Sequence, residues 1–437
     1  MPNCTAEQLQ FAPFKRRQIA AEFSGGDVSS DGGVLLLRQL ERRLRLIKRA
    51  ASVLTDPRDP ERITHSVTDM LKQRVFGLCL GYEDLNDHTE LRRDVLLQTA
   101  VERDSPLASA PTLCRLENRA SRAAAWALHE VMVERFIASF KQAPGELVLD
   151  FDATDDPVHG AQEGRFFHGY YDNYCFLPLY VFCGEQLLVS YLRPSKIDAA
   201  KHSWAIVALL VKRLRRAWPT VKIILRADSG FCRHHLLTWC DRHGVGYVVG
   251  LAKNRRLNAI SESARLRLAE QFETTGVKQR DFIEFYYAAG SWRAPRRVIA
   301  RLECGDQGDN PRYIVSNLDR DRATLYDTVY CARGEMENRI KEAQLGLFAD
   351  RTSCHYFVAN QFRLLLASLA YILMERLRNL ALVGTEFARL QTTTLRNKLL
   401  KIGAIIVRNT RRVRVLLSSA YPYQAIYTQA LRAIDST

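Results

Sequence analysis

The amino-acid sequence predicts a mixed α/β fold with an α-helical N-terminal region. Three observations predict it: helical spacing of apolar residues within 1–145, short apolar strands alternating with helices from residue 146, and a run of strands within 271–325. Strands that are followed by an alternation of strand and helix are typical of a mixed sheet covered by helices. The 437 residues are enough for two or three folded units.

Residues 1–145 form the predicted helical region. Asp59 followed by Pro60 is typical of a helix start. Apolar residues follow at helical spacing, namely Ile63, Val67, Met70, Leu71 and Val75. A second helix is predicted over 123–140, after a break at 109–113. Short basic helices occur in DNA-binding regions and equally in plain helical bundles, so both interpretations of this region stay open.

Residues 146–270 are predicted as the first part of the mixed domain. Apolar runs over 147–152, 221–228 and 246–251 indicate buried strands, and 176–182 with 187–192 indicates a hairpin. Helices are predicted over 199–217, where Asp198 provides the cap and Trp218-Pro219 the end, and over 234–243.

The remaining chain divides into three predicted segments. Residues 271–325 contain strands over 282–287, 297–302 and 312–315, joined by turns with Gly and Pro, and indicate a β-rich insertion. Residues 326–390 return to helix over 333–347 and 359–380. Residues 391–437 form a basic C-terminal tail in which 403–407 and 413–417 predict a hairpin.

The charge balance favours a polyanionic partner. There are 63 Lys and Arg against 48 Asp and Glu, a net charge of +15. Such an excess attracts nucleic acid or an anionic membrane, although it also occurs where charge serves solubility alone. The start of the chain has no signal-peptide pattern, and the apolar stretch 362–374 is shorter than the ~20 residues of a membrane span. We therefore expect a buried core helix there and a location in the cytoplasm.

The cysteine pattern gives no sign of a zinc ribbon. The 10 cysteines are scattered, with no Cys-x-x-Cys pair. Cys232, His234, His235 and Cys240 are close in sequence, but without a second pair they are better interpreted as free thiols and histidines on a helix in a reducing compartment.

Two predicted strands end in carboxylates that can share a site. Asp152 ends the first strand and Asp228 ends the second, and ligands bind at such strand ends in open sheets. Two neighbouring aspartates repel each other unless divalent cations bridge them. Oxygen ligands favour Mg²⁺ or Mn²⁺, and two such ions about 3.5–4 Å apart serve in-line displacement at phosphorus. Either aspartate alone would be a helix cap or turn former.

A predicted helix supplies a third carboxylate. Arg333, Glu337 and Lys341 are spaced i, i+4, i+8 and share one helical face. This arrangement suits a metal ligand between two phosphate-binding cations, and a solvated ion-pair stripe would have the same spacing. Glu335 is the reserve candidate for the ligand.

The order of these motifs resembles that of the DDE transposases of bacterial insertion sequences. The resemblance is to the branch with a β-strand insertion and a Tyr-x-x-Arg-x-x-x-Glu signature, which Tyr330, Arg333 and Glu337 match. Asp152-Ala153-Thr154 matches the first acidic motif and Asp228-Ser229-Gly230-Phe231 the second. Segments 29–37 and 169–174 are also similar to such proteins, so the resemblance covers nearly the whole chain.

The resemblance implies an RNase H-like catalytic core with a β-rich insertion. It implies two Mg²⁺ ions, replaceable by Mn²⁺, at Asp152, Asp228 and Glu337, and phosphate contacts by Tyr330 and Arg333. The reaction implied is DNA cleavage at terminal inverted repeats followed by strand transfer into target DNA. A homodimer in a paired-end complex, associated with the bacterial nucleoid, is expected. One position departs from the signature: Gln344 stands where the family has lysine, and Lys341 is our candidate substitute.

Further basic and aromatic residues are weaker candidates for DNA contact. Trp292 lies in a basic turn, where it either stacks on a base or packs on its own sheet. Lys253, Arg255 and Arg256 follow a strand end, where they either track a DNA backbone or form a solvated charge run. A nuclease that does not join strands, or a non-catalytic DNA-binding descendant of a transposase, are the alternative functions.

Overall fold

The computed structural model describes residues 7–436, which divide into two compact units. The unit that we call the helical unit contains the chain up to Ala120, Gly346–Phe348, and the chain from Leu369 onward. The sheet unit contains Ser121–Leu345 and Ala349–Ser368.

The strands are, in chain order, β1 (Leu9–Phe14), β2 (Arg17–Ala21), β3 (Asp27–Ser29), β4 (Glu146–Ala153), β5 (Asp156–Pro157), β6 (Phe166–His168), β7 (Asn173–Phe176), β8 (Leu179–Cys183), β9 (Gln186–Tyr191), β10 (Lys222–Ala227), β11 (Gly246–Leu251), β12 (Gln279–Tyr287), β13 (Arg296–Gly305), β14 (Gly308–Asp309), β15 (Arg312–Ser316), β16 (Ala404–Asn409) and β17 (Arg412–Leu417).

The α-helices are α1 (Val34–Leu44), α2 (Leu46–Ser52), α3 (Val67–Leu80), α4 (His88–Leu91), α5 (Val95–Val101), α6 (Ala110–Asn118), α7 (Arg122–Ala138), α8 (Ser203–Ala217), α9 (His234–Arg242), α10 (Arg255–Ile260), α11 (Glu262–Thr275), α12 (Gly334–Lys341), α13 (Phe357–Arg376), α14 (Thr392–Leu395) and α15 (Gln424–Ser436). Short 3₁₀ turns cover Pro60–Arg62, Ser229–Phe231 and Cys331–Arg333, and π-helical turns cover Thr324–Tyr330, Glu342–Gly346, Leu377–Ala381 and Arg396–Leu400.

A nine-stranded mixed sheet is the centre of the sheet unit, so the predicted mixed α/β class is confirmed. Its order is β12-β13-β15-β11-β10-β4-β8-β9, with β14 paired to β13. Strands β4 and β11 pair with β10 in parallel, and the other pairs are antiparallel. Helices α8 and α9 are the crossovers that parallel pairing requires. Their buried faces join the apolar residues of β4, β10 and β11 in one core.

The segment 271–325, predicted as a β-rich insertion, continues the central sheet. Its strand β15 pairs with the outer edge of β11, and β13 and β12 continue from β15. This pairing satisfies the backbone groups of β11 that would otherwise form an open sheet edge. Helix α11 packs on β12 and β13, so the predicted insertion is an extension of the central sheet.

The helical unit contains more strand than the sequence predicted. A hairpin of β1 and β2 precedes α1, and β3 pairs with β16 of the predicted tail hairpin β16–β17. The tail 391–437 therefore belongs with the N-terminal helices, and α7, expected with residues 1–145, belongs to the sheet unit. Local patterns along the chain could not show either grouping, because both depend on pairings distant in sequence.

The longest apolar helix is a core helix, as predicted. The stretch Phe357–Ala381 is long and apolar enough to cross a membrane, but 89% of its most apolar window is buried inside the protein. The predicted helix start at Asp59 is only the 3₁₀ turn Pro60–Arg62. The α-helix that follows is α3, which begins at Val67; the side chain of its N-cap Ser66 accepts from the Asp69 amide in a capping box.

Candidate active site

Two aspartates extend from neighbouring parallel strands. In the register of β4 and β10, Phe151 lies opposite Ala227; Asp152 is the next residue on β4, and Asp228 directly follows β10. Neighbouring strands lie about 4.8 Å apart, so the two carboxylates are adjacent at one sheet edge. The Asp228 side chain also accepts from the Gly230 amide at 2.9 Å, which caps the turn that follows β10. The strand-end aspartates predicted from the sequence are thus brought together.

A helical segment places an arginine between two of the carboxylates. Arg333 Nη1 donates to Asp152 Oδ2 at 3.2 Å, and Nη2 donates to Glu337 Oε1 at 2.8 Å. Glu337 lies one turn after Arg333 on α12, and about half of its side chain is exposed. Arg333 therefore links Asp152 on the sheet to Glu337 on the helix, beside Asp228.

The Asp152 carboxyl lies in an unfavourable environment for a negative charge. Burial raises its pKa to about 7, the charges of Asp228 and Glu337 act in the same direction, and Arg333 opposes them. A cation placed beside Asp152 would offset both burial and the neighbouring carboxylates. The site is therefore electrostatically suited to positive charge.

The carboxylate oxygens are of the type that binds a divalent metal ion, and Arg333 determines how these carboxylates are arranged. Carboxylate oxygens are the ligands of Mg²⁺ and Mn²⁺. Among residues 7–436, however, no three His, Cys, Asp or Glu side chains lie close enough together to hold a metal. The Arg333 guanidinium bridges Asp152 and Glu337, so the arginine holds Glu337 while the two aspartates lie side by side.

A buried ion pair beneath the site was missed by sequence reasoning. Arg226 pairs with Asp150, and each lies two residues before an acidic strand end, on the same strand face. The Arg226 guanidinium also donates to the Val329 carbonyl, directly before Tyr330. It thus ties β4, β10 and the helical segment together. The sequence signal for this pair was the position of Asp150 and Arg226, each two residues before one of the two aspartates and therefore on the same strand face.

Tyr330 lies against the turn that follows β10. Its ring packs on Tyr326 at a centroid distance of 5.5 Å. A Cβ atom built on Gly250 would lie only 2.7 Å from the Tyr330 hydroxyl and 2.8 Å from the Ser229 nitrogen. Glycine at position 250 therefore leaves the space that lets Tyr330 lie against the turn after Asp228.

Gln344, which stands where the family signature has lysine, points into the protein. Gln344 Nε2 donates to Asp156 Oδ1 at 2.8 Å and to the Asp155 carbonyl at 3.1 Å. Asp156 is fully buried, and burial raises its pKa well above the ordinary value. Gln344 is thus used internally. Lys341, at the exposed end of α12, lies one turn beyond Glu337.

The remaining candidates for DNA contact make no direct contact with Asp152, Asp228 or Glu337. Lys253 and Arg255 are exposed after β11, and Lys253 Nζ lies 3.5 Å from Asn310 Oδ1. Trp292 is half-buried, with its ring edge-on to Tyr287 at 5.7 Å and packed against the core. The structure therefore favours packing on its own sheet over an open stacking position for Trp292.

Comparison with known proteins identifies the family of this chain. The family model of the transposase DDE domain group 1 matches residues 11–437. This chain belongs to the DDE transposase family. The solved piggyBac transposase synaptic complex with hairpin DNA is similar at a TM-score of 0.39 and 10% identity, covering 94% of this chain and 82% of that chain. No curated protein matches the chain.

DDE transposases are enzymes of DNA transposition that cleave and transfer DNA strands. Enzymes of this family generally use divalent metal ions. The family therefore agrees with the chemistry of a site built from adjacent carboxylates.

Proposed function

We propose that this transposase binds the terminal inverted repeats of an insertion sequence, cleaves the element's ends and transfers the freed 3′-hydroxyl to target DNA. The observation that carries the proposal is the joining of Asp152, Asp228 and Glu337 in one site by neighbouring strand ends and Arg333. We assign strands β9-β8-β4-β10-β11 to the RNase H-like core.

Asp152, Asp228 and Glu337 would hold two Mg²⁺ ions, with Mn²⁺ as a substitute. When bound, such a pair supplies activation of the attacking oxygen and stabilisation of the leaving oxygen at phosphorus. The chain's own contribution is a fixed pair of aspartates, since the Arg226–Asp150 pair holds β4 and β10 in register beneath them. Helix α12 supplies the third carboxylate, Glu337.

Arg333 has a second task in this proposal. A guanidinium released from Asp152 and Glu337 is an ideal bidentate donor to a phosphate. Tyr330 beside it and Lys341 one turn beyond Glu337 would hold the same DNA strand. Lys253 and Arg255 would contact the DNA backbone farther along, where exposed cations position DNA without reading its sequence.

Strand cleavage of a duplex carrying the element's terminal repeat tests the proposal. Wild type should release the element's end with Mg²⁺ and not with EDTA, and Glu337→Gln should lose cleavage while it still binds the repeat. Glu335→Gln is the matched control, an exposed glutamate on the same helix, and should cleave normally. Loss of cleavage in Glu335→Gln alone would transfer the ligand role to Glu335.

The products separate the alternative functions. Cleavage of duplexes of any sequence without joined products would indicate a nuclease. Repeat binding without cleavage by wild type would indicate a DNA-binding descendant.

We also propose that two copies form the complex on paired DNA ends. In the hairpin β1–β2, Leu9, Phe11 and Ile19 lie on one face, because Phe11 pairs with Ile19 and Leu9 with Ala21. Each is at least 40% exposed. An isolated hairpin is marginally stable in water, so this apolar face requires a cover. A second copy supplies it symmetrically, because each copy offers the same hairpin.

The reducing bacterial cytoplasm, with the nucleoid as the source of DNA, is our proposed location. Support comes from the nine cysteines within residues 7–436, which are all free thiols.

A further inference from the structure

A small aromatic hairpin follows the first acidic strand. Strands β6 and β7 pair through Phe166–Cys175, Phe167–Tyr174 and His168–Asn173, and the turn 169–172 connects them. Strand β5, which begins four residues after Asp152, pairs with β7. We call residues 166–176 the aromatic hairpin. The proposed function assigns no role to it, although segment 169–174 stood out in the sequence.

The aromatic hairpin exposes several large rings together. Tyr170 at the turn is 85% exposed, Phe167 54% and Tyr174 48%. Phe167 and Tyr174 are cross-strand neighbours with ring centroids 5.6 Å apart, edge to face. Single exposed aromatic residues are ordinary, but a contiguous group on one short hairpin indicates a binding surface.

The turn that presents Tyr170 is held in one conformation. The amides of Tyr171 and Asp172 both donate to the His168 carbonyl, at 3.1 and 2.9 Å. Asp172 has φ +53°, in the left-handed region that closes the turn. Tyr170 rests edge-on against Tyr171 at 5.0 Å. A ring that is already oriented loses little conformational entropy when it binds a flat ligand.

The same turn lies beside the acidic site. Asn173 Nδ2 donates to Asp155 Oδ2 at 3.2 Å, three residues after Asp152. Burial, together with the charges of Asp155 and Asp152, raises the pKa of Tyr171 to about 12. The hairpin is therefore within reach of DNA bound at the carboxylates.

Cations accompany the rings. The Arg165 guanidinium lies 4.7 Å from the Tyr174 ring centroid, and Lys196 Nζ lies 5.4 Å from that of Phe166. Ring faces flanked by cations fit nucleic acid, whose bases stack on aromatic rings while its phosphates pair with Arg and Lys. A surface made only for another protein's apolar core would not require this charge.

We propose that the aromatic hairpin binds an unpaired base of the DNA end, which stacks on Tyr170 beside the Phe167–Tyr174 pair. Arg165, which packs on the Tyr174 ring, would then neutralise a phosphate flanking that base. This inference rests on the proposed function, since it requires a DNA end at the acidic site. It assigns a stacking position outside the acidic residues and outside α12.

Fluorescence anisotropy of the full chain in EDTA tests the proposal without cleavage. Two labelled duplexes carry the terminal repeat, one fully paired and one with three unpaired nucleotides at its end. Wild type should bind the unpaired end more tightly. Tyr170→Ala should lose roughly fivefold or more of that affinity, as expected for one stacked base, and should bind the paired duplex as wild type does.

Control variants identify the cause of a change. Tyr170→Phe should retain the preference, because it keeps the ring. Trp204→Ala, which removes another half-exposed aromatic residue on α8, should bind both duplexes as wild type does. Circular dichroism should show that all variants are folded.

The contrary outcomes are distinct. Equal wild-type affinity for the two ends, or an unchanged preference in Tyr170→Ala, would overturn the stacking position and leave the proposed function intact. Failure of wild type to bind either duplex would overturn the proposed function itself. If Tyr170→Ala converts a dimer to a monomer in sedimentation with no change on either duplex, the surface is a contact between copies and the proposal is wrong.

Discussion

Alanine at position 250 should damage catalysis through the turn that carries Asp228. Gly250 is buried on β11. A Cβ there would lie 2.7 Å from the Tyr330 hydroxyl, 2.8 Å from the Ser229 nitrogen and 3.1 Å from the Asp228 carbonyl carbon, against ordinary contacts of 3.4–4 Å. Two of these atoms are backbone, so they cannot rotate away. The contact must be relieved by moving Tyr330 and the turn after β10.

The structure sets the size of the effect. Relief of the overlap requires a shift of roughly 0.6 Å at the Ser229 nitrogen, the distance by which the new contact is too short. Overpacking of this kind costs about 1–3 kcal/mol of unfolding free energy. A misplacement of about 1 Å at an active site can cost about 100-fold in rate. We therefore expect a folded Gly250→Ala protein whose cleavage rate is at least about tenfold lower.

Gly246→Ala is the matched control on the same strand. Its Cβ would lie 2.6 Å from Leu318 Cδ2 and 3.2 Å from Ile224 Cγ1, which are atoms of flexible side chains away from the acidic residues. Both variants should lose some stability in urea unfolding, but only Gly250→Ala should lose cleavage of the terminal-repeat duplex. Wild-type cleavage by Gly250→Ala, or equal loss in both variants, would refute this account of the site.

Three further predictions concern stability and assembly. Arg226→Ala should lower the unfolding free energy by about 3–5 kcal/mol, because it leaves Asp150 buried without its partner. In urea unfolding, adding Asp150→Ala should cost less than the sum of the single changes, and additive costs would contradict the pairing. Burial lowers the pKa of His88 well below its ordinary 6.5, so below pH 6.5 the unfolded chain binds a proton that the folded chain does not. Wild type should therefore lose up to about 1.4 kcal/mol of stability per pH unit as pH falls below 6.5. Unfolding measured at pH 7, 6 and 5 should show a smaller slope for His88→Gln. An unchanged slope would contradict the assignment of this pH dependence to His88. In light scattering, Phe11→Asp should convert the dimer on terminal-repeat DNA to a monomer. Gln10→Asp, on the opposite face of the hairpin, should leave the dimer intact. A dimer in both variants would contradict the hairpin interface.

Local sequence predicted the elements around the site well. The apolar runs that end at Asp152 and Asp228 correspond to β4 and β10, and the hairpin over 176–192 corresponds to β8 and β9. The i, i+4 spacing of Arg333 and Glu337 predicted their shared helical face, where the structure shows a direct ion pair. Such features depend on residues a few positions apart, which periodicity can detect.

The pairing of distant segments was not predictable from these patterns. The segment 271–325 has the alternation of any β-rich region, and nothing in it indicated that β15 would pair with β11. Strand β3 pairs with β16 across most of the chain length. Strand patterns show which face is buried, but they do not name the neighbouring strand.

The sequence by itself determined which residues end the acidic strands, which helical face carries Arg333 and Glu337, and the excess positive charge. Tertiary structure decided that Arg333 bridges Asp152 to Glu337, that Arg226 and Asp150 pair beneath the site, and that Gln344 turns inward to Asp156. The physical reason is that a side chain's partner depends on strand order, register and burial, which arise only when segments far apart in sequence pack together.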